Sequence, residues 1–251
     1  MTVSQEIRMM IKDALSKGSS RNQIIREFHL AKNTVLKYAG IKSVPPLPPK
    51  IDFTPTEVCG EVVGIFAGDG SQYYEPKSGH YETNIHFGKV NEQYAYYVKE
   101  AYEKFFQKRF RLKQESLTKL RIRMYHREIF YFFDAFLDYE RPSKHDTVRV
   151  KEDKTTPEFK IGFLRGMFDT DGCLFCVPHE KRVRLFYTTT SKELASQISI
   201  FLTELGIEHR VYTRLRKVWK TIYTVNIWKS SAYRFINKVK PFKAQILGAG
   251  S

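Results

Sequence analysis

Apolar positions in the first forty residues keep a helical rhythm. Ile7, Met10, Ile11, Ala14 and Leu15 fall on one face, with the three-and-four spacing of an amphipathic helix. Gly18-Ser19-Ser20 breaks the rhythm, and Ser20 is placed to cap a second helix carrying Ile24, Ile25 and Phe28. A tight connection at His29-Leu30 leads into Lys32–Tyr38, which ends at Gly40. The pattern predicts a small all-α domain over residues 1–43. Val44-Pro45-Pro46-Leu47-Pro48-Pro49-Lys50 follows. Proline this dense suits neither helix nor central strand and predicts a semi-rigid linker over 44–53.

Beyond the linker the pattern alternates between helix and strand, and does so twice. Thr54-Pro55 opens a helix with proline at its first position, and the helix stays apolar to about Ala67 before Gly68-Asp69-Gly70. Strands follow over Ser71–Lys77 and Tyr81–Lys89, then a helix over Asn91–Phe106. Strands over Lys108–Lys113 and Lys119–Tyr125 and a helix over Glu128–Leu137 complete the round. Thr156-Pro157 opens a second round, with its helix ending near Asp169. Strands at Cys173–Pro178 and Val183–Thr189, a helix at Ser191–Leu205, strands at Glu208–Arg216 and Lys220–Trp228, and a helix at Ser231–Val239 follow. The two Thr-Pro pairs are 102 positions apart, as are Asp69 and Asp171, while His126 and Lys229 are 103 apart. This is one fold written twice, with lobes at 54–140 and 156–251 joined by a charged connector at 141–155.

Composition narrows the class. The chain has 251 residues and 42 Lys/Arg against 27 Asp/Glu, a net charge of +15, which suits a polyanionic partner. The basic residues lie among aromatic and β-branched ones rather than on one amphipathic helix, so nucleic acid is favoured over a membrane surface. A basic enzyme without a polyanion partner is the plainer alternative. No apolar run reaches the length of about 18 that a span needs. The N-terminus lacks a signal-peptide pattern, and an intracellular location is expected. Three cysteines, odd and few, fit a reducing compartment. Cys173-Leu174-Phe175-Cys176 is formally C-x-x-C, and His179 offers a third ligand, but a zinc site lacks its fourth.

The chemistry concentrates in Val62-Val63-Gly64-Ile65-Phe66-Ala67-Gly68-Asp69-Gly70 and Leu164-Arg165-Gly166-Met167-Phe168-Asp169-Thr170-Asp171-Gly172. Gly64 and Gly166, with Ala67 nearby, remove bulk from one helix face, so two such helices can pack with backbones close. Both C-terminal ends, and both aspartates, then approach a common axis. The partial negative charge of a helix C-terminus reinforces a carboxylate as a cation site. Asp169-Thr170-Asp171-Gly172 also opens like a calcium loop, but Cys173 fails its fifth position.

These stretches resemble the paired motifs of the LAGLIDADG homing endonucleases, and the resemblance covers residues 54–240. The second copy is the better match; the first has Val62 for leucine and Ala67 for the first aspartate. The resemblance implies an α+β chain of two pseudo-symmetric αββαββα lobes with saddle-shaped antiparallel sheets. It implies divalent metal, Mg²⁺ or Mn²⁺, at Asp69 and Asp171 with Gly68 and Thr170 beside them, Ca²⁺ binding without supporting cleavage. Lys229, with His126 as its counterpart, stands where the family often places a lysine of the catalytic site. The substrate would be a long, roughly palindromic double-stranded DNA site, bound by a monomer acting as a pseudo-dimer and cut to short 3′ overhangs.

Alternation along the strands then assigns the DNA face. It comprises Ser71, Tyr73 and Lys77, then Arg109, Arg111, Lys113, Arg121 and Arg123 in the first lobe, and Arg182, Arg184, Arg210, Tyr212, Arg214 and Arg216 in the second. The N-terminal domain resembles the helix-turn-helix of resolvases and many transcription factors. His29 stands where that motif often has glycine to reach positive φ. The first residues of its recognition helix would face the major groove, making Lys32, Asn33, Thr34 and Lys37 the candidates. Residues 1–50 carry nine Lys/Arg against three Asp/Glu. Two other classes compete: a non-cleaving transcription regulator built on the same fold, and an intron RNA maturase.

Overall fold

The computed structural model describes residues 5–31, 34–35, 51–177, 182–215 and 220–246. Lys32, Asn33, Lys37, His179, Glu180 and Arg216 lie outside them. The chain divides into two compact units, Met1–Leu47 and Pro48–Ser251.

In the first unit, α1 (Gln5–Ser16) and α2 (Arg21–Glu27) pack around Ile11, Ile24 and Val35, all fully buried. Ser20 caps α2 in a reciprocal box: its hydroxyl accepts from Gln23 N, and its own N–H donates to the Gln23 side chain. His29 takes φ +48°, the left-handed turn that histidine tolerates less readily than glycine. Thr34 N donates to Ala31 O at 2.9 Å, opening the next helical turn.

The second unit is the doubled αββαββα fold. In the first lobe, α3 (Glu57–Asp69) is followed by β1 (Gly70–Glu75), β2 (His80–Gly88), α4 (Glu92–Phe106), β3 (Arg111–Ser116), β4 (Lys119–Met124) and α5 (Arg127–Phe136). After β5 (Leu137–Asp138), α6 (Lys144–Thr147) and β6 (Arg149–Val150), the second lobe begins. It runs α7 (Pro157–Asp171), β7 (Gly172–Val177), β8 (Arg182–Thr189), α8 (Lys192–Glu204), β9 (His209–Arg214), β10 (Ile222–Trp228), α9 (Ser230–Val239) and α10 (Phe242–Ile246). The sheets are antiparallel with matching orders, β1-β2-β4-β3 and β7-β8-β10-β9. Gly70 is level with Ile85 and Ile122, and Gly172 with Tyr187 and Val225.

Helices α3 and α7 form the seam. Cys59 through Ala67 are all buried, because one side of α3 meets α7 and the others meet its own lobe. Backbones touch at two glycines per helix. A Cβ on Gly60 or Gly64 would stand 2.1 Å from Phe159 O or 2.4 Å from Phe163 O. On Gly162 or Gly166 it would stand 1.8 Å from Glu57 O or 2.4 Å from Glu61 O. Gly64 and Gly166 are the expected pair; Gly60 and Gly162, one turn earlier, complete it. The seam also holds one asymmetric ion cluster. Arg165 donates to Glu61 Oε2 at 2.8 Å, to Glu57, and to Val239 O at 2.7 Å, and Tyr97 holds the other oxygen of Glu61. In the repeat, Arg165 aligns with Val63 and Glu61 with Phe163, so neither helix could make this cluster with a copy of itself.

Four expectations shift. The helices run through both aspartates and pass straight into strands, with no loop between. Gly70 and Gly172 have φ −83°, so positive φ does not require them; a Cβ there would strike the Phe66 or Phe168 ring at 2.3 or 2.4 Å. β1 stops at Glu75, leaving Lys77 in the turn, where its N–H donates to Glu75 Oε1. β3 starts at Arg111 rather than Lys108, leaving Arg109 before the strand. Gln107 ends α4 in the left-handed conformation, and the Glu103 carboxylate takes the Phe110 N–H at 2.6 Å, so 107–110 wrap the helix end. Finally, Phe53 packs on Phe132 and Phe136, and the connector contains α6 and β6, which pairs with β5 at the end of the first lobe.

Candidate active site at the paired helix ends

Because α3 and α7 pack backbone to backbone, their last residues meet. A Cβ on Gly68 would stand 2.1 Å from Thr170 Oγ1 and 3.2 Å from Asp171 Oδ2. Asp69 and Asp171 are close enough for the charge of Asp171 to raise Asp69. Burial is the larger cause, and together they push Asp69 up to about 6 against the pull of Lys144 and Lys243. Burial likewise raises Asp171. The Thr170 hydroxyl turns back to its own helix, donating to Gly166 O and Met167 O.

Each helix end carries its own lysine. Lys144 Nζ donates to Phe66 O, Ala67 O and Gly68 O at 2.8, 2.6 and 3.1 Å. Lys243 Nζ donates to Phe168 O, Thr170 O and Gly172 O at 3.3, 3.2 and 2.6 Å. The last carbonyls of a helix lack intrahelical donors and carry the negative end of its dipole, so an ammonium satisfies both. Burial lowers Lys144 to about 8 and lowers Lys243 as well, although the aspartates oppose both shifts. Lys243 has a further brace. Asp169 accepts from Phe242 N and Lys243 N, both at 2.9 Å, and burial raises its carboxyl to about 6. Ala67 stands at the equivalent place in the first lobe and provides no such anchor.

Neither lysine was expected, and the signal was present. Arg141-Pro142-Ser143-Lys144 and Lys240-Pro241-Phe242-Lys243 repeat basic-Pro-x-Lys at a spacing of 99, three residues out of step with the motif. His126 and Lys229, expected at the centre, follow the ends of β4 and β10. Each follows by four residues the strand residue level with Gly70 or Gly172, and lies two strands across. At about 3.3 Å per residue this is ~13 Å along the strand, away from the aspartates. The cations beside the aspartates are Lys144 and Lys243.

The expected DNA face is the outer face of both sheets. In the first lobe Ser71, Tyr73, Arg111, Lys113, Arg121 and Arg123 occupy it, but two arginines are already paired. Arg121 meets Glu115 at 2.9 Å and Arg123 meets Glu82 at 3.1 Å. In the second, Arg210, Tyr212 and Arg214 are exposed on β9, and Arg184 lines a groove with Phe175, Phe186 and Trp228. Arg182 lies on β8. Cys59 and Cys173 are free thiols, and among the described residues no three His, Cys, Asp or Glu gather as a metal site. No helix among them is long and apolar enough to cross a membrane.

Known proteins agree with this architecture. Residues 158–240 match the sequence model of the LAGLIDADG-like domain. No curated protein matches the chain in sequence. Among solved structures, I-DmoI in complex with DNA and Ca aligns over 78% of this chain and 99% of its own, with a TM-score of 0.55 at 16% identity. Mesophilic variants of the homing endonuclease I-DmoI align over 75% and 97%, with a TM-score of 0.52 at 16% identity. The homing endonuclease I-WcaI bound to its DNA recognition sequence aligns over 75% and 83%, with a TM-score of 0.50 at 15% identity. Residues 158–240 are therefore similar in sequence to the LAGLIDADG-like domain, and the doubled unit shares the fold of the homing endonucleases I-DmoI and I-WcaI.

Proposed function

We propose that this chain is a site-specific endonuclease that binds a long, roughly palindromic DNA duplex as a pseudo-dimeric monomer and hydrolyses both strands at the α3–α7 seam. The observation that carries the reading is the doubled constellation: Asp69 and Asp171 at adjoining helix ends, each with a lysine, each at the head of a sheet with a basic outer face. The donors there are carboxylate and carbonyl oxygens. That set fits Mg²⁺ or Mn²⁺, which keep waters and draw other ligands from phosphate. Asp69 and Asp171 would hold the ion, with Gly68 O and Thr170 O beside it. When bound, it supplies a water of lowered pKa and charge stabilisation at the leaving oxygen. Lys144 and Lys243 place positive charge where the scissile phosphate gains negative charge. The I-DmoI structures, solved with DNA and Ca, Mn or Mg, support a divalent ion, and Ca²⁺ should support binding but not cutting. In the head, Thr34 and its neighbours Lys32, Asn33 and Lys37 would extend the footprint as a helix-turn-helix.

The test is incubation with a DNA library, with and without Mg²⁺, followed by sequencing of cut ends. Asp69→Asn and Asp171→Asn should each abolish double-strand cleavage and leave binding largely intact. Full activity in either would sink the shared centre. One observation favours a non-cleaving regulator instead: each lysine ammonium already donates to three carbonyls, and an ammonium has three protons. Tight duplex binding without cutting under any divalent ion would establish that reading.

A further inference from the structure

We propose that the second lobe reads its half of the DNA site through thymine methyl groups, using Phe186 and Phe175, whereas the first lobe reads its half through polar and charged groups. This rests on the DNA-binding reading above and adds the base chemistry of one half-site.

The matched registers make the comparison residue by residue. The row of outer-face residues nearest the first helix end is Ser71, Asn84, Arg123 and Arg111; in the second lobe it is Cys173, Phe186, Asn226 and Arg210. Phe186 thus stands where the first lobe has Asn84. Phe175, 56% exposed, aligns with Tyr73, and Arg184 beside it aligns with Glu82. Phe175, Phe186 and Trp228 line one groove of ≈ 620 Å³ together with Arg184 and Arg210. The Arg210 guanidinium lies over the Trp228 ring at 5.7 Å.

An aromatic side chain in the middle of a base-reading row cannot replace the hydrogen bonds that water makes to guanine O6, adenine N6 or cytosine N4. Covering those atoms leaves them unsatisfied, which is costly. Thymine instead presents its C5-methyl in the major groove, and that group gains from apolar cover. The flanking arginines supply the charge that suits phosphate, so the occupant is duplex DNA rather than an apolar ligand. The same row in the first lobe holds a hydroxyl, guanidinium groups and the largely buried amide of Asn84, which gain nothing from a methyl.

The experiment selects binding sites from randomised duplexes with the full chain and Ca²⁺, then replaces thymine by deoxyuridine in one half-site at a time. Thymine should be enriched beside the centre in one half only. Its replacement there should weaken binding about fourfold per methyl, the ~0.8 kcal/mol of one buried carbon at 1.4 kcal/mol per tenfold. The same replacement in the other half should change nothing. Phe186→Asn, which copies the first lobe, should weaken binding of the thymine-containing site by about that same fourfold and abolish any further effect of deoxyuridine; Phe175→Ser provides a second variant. Tight, selective duplex binding with no deoxyuridine effect, or an effect unchanged in Phe186→Asn, would overturn the inference. Failure to select any duplex would instead overturn the DNA-binding reading beneath it. Tighter capture of single-stranded RNA would make these aromatics a stacking platform and refute the methyl readout.

Discussion

On the first lobe the outer sheet face is a network of ions. Glu82 holds Arg123, Glu115 holds Arg121 and approaches His86, and Tyr73 bonds Glu75. On the second lobe Phe175 stands for Tyr73 and Arg184 for Glu82, Phe186 and Trp228 line the same groove, and β9 adds exposed Arg210, Tyr212 and Arg214. At the helix ends the difference narrows: aspartate, glycine and a carbonyl-bound lysine occur in each lobe, and Asp169 opposite Ala67 is what remains. Packing explains the contrast. Residues of the seam must fit another helix at backbone distance, so both copies keep the paired glycines and the terminal Asp-Gly. Residues on an outer face meet only neighbours on their own sheet rather than a second helix at backbone distance, and each lobe is freer to differ there.

The seam gives the largest effects. Gly162→Ala places a Cβ against Glu57 O and Gly60→Ala one against Phe159 O, contacts that side-chain rotation cannot relieve. Each should cost about 3 kcal/mol or more, read as a fall in Tm or in the denaturant midpoint. An alanine tolerated at one glycine and not the other would show that the lobes are less alike at the seam than their backbones indicate. Arg165→Met follows. It strips the buried Glu61 of its cation and should cost about 3 kcal/mol, while Arg165→Met with Glu61→Gln should recover part of the loss. A negligible cost for the single variant would mean that this asymmetric ion cluster does not hold the lobes together.

The helix ends test equality in a different currency, activity. Lys144→Met and Lys243→Met should each lower cleavage by about 10²-fold and leave duplex affinity within a few fold. Asp169 braces Lys243 but Ala67 leaves Lys144 without an equivalent. Asp169→Asn should therefore mimic a weakened Lys243→Met, and strand-resolved nicking assays should show one strand more affected than the other. Equal slowing of both strands would refute a lobe-specific role for that brace.

Much of this was legible in the chain. The 102-residue spacing located both helices and both aspartates because the repeat preserves whatever the seam demands, and Gly64 and Gly166 announced the close packing. Strand alternation placed Arg111, Lys113, Arg210 and Tyr212 on exposed faces. Three features escaped for physical reasons. Lys144 and Lys243 act through long side chains reaching back to carbonyls more than 70 residues earlier, a contact that no local periodicity encodes. Gln107 in a left-handed turn displaced β3, because a helix C-cap there consumed residues that alternate like a strand. The pairing of Arg121 and Arg123 with Glu115 and Glu82 depends on register across the sheet, so composition counted as free charge what the fold partly neutralises.

That last point yields the smallest effect. Arg121 and Glu115 are partly exposed, so a double-mutant cycle on the pair should give about 0.5 kcal/mol of coupling. Its consequence for DNA is separable from stability. Each phosphate contact contributes about 0.9 to the slope of log affinity against log salt. If Arg121 exchanges Glu115 for phosphate on binding, Arg121→Gln should reduce the slope by about 0.9. Glu115→Gln should keep the slope and tighten binding modestly, because the arginine no longer has to leave a partner. In the second lobe, Arg210→Gln should lose the same slope with no carboxylate variant to match it. Identical behaviour of the two lobes in this pair of measurements would mean that the ion network on the first sheet does not shape how it meets DNA.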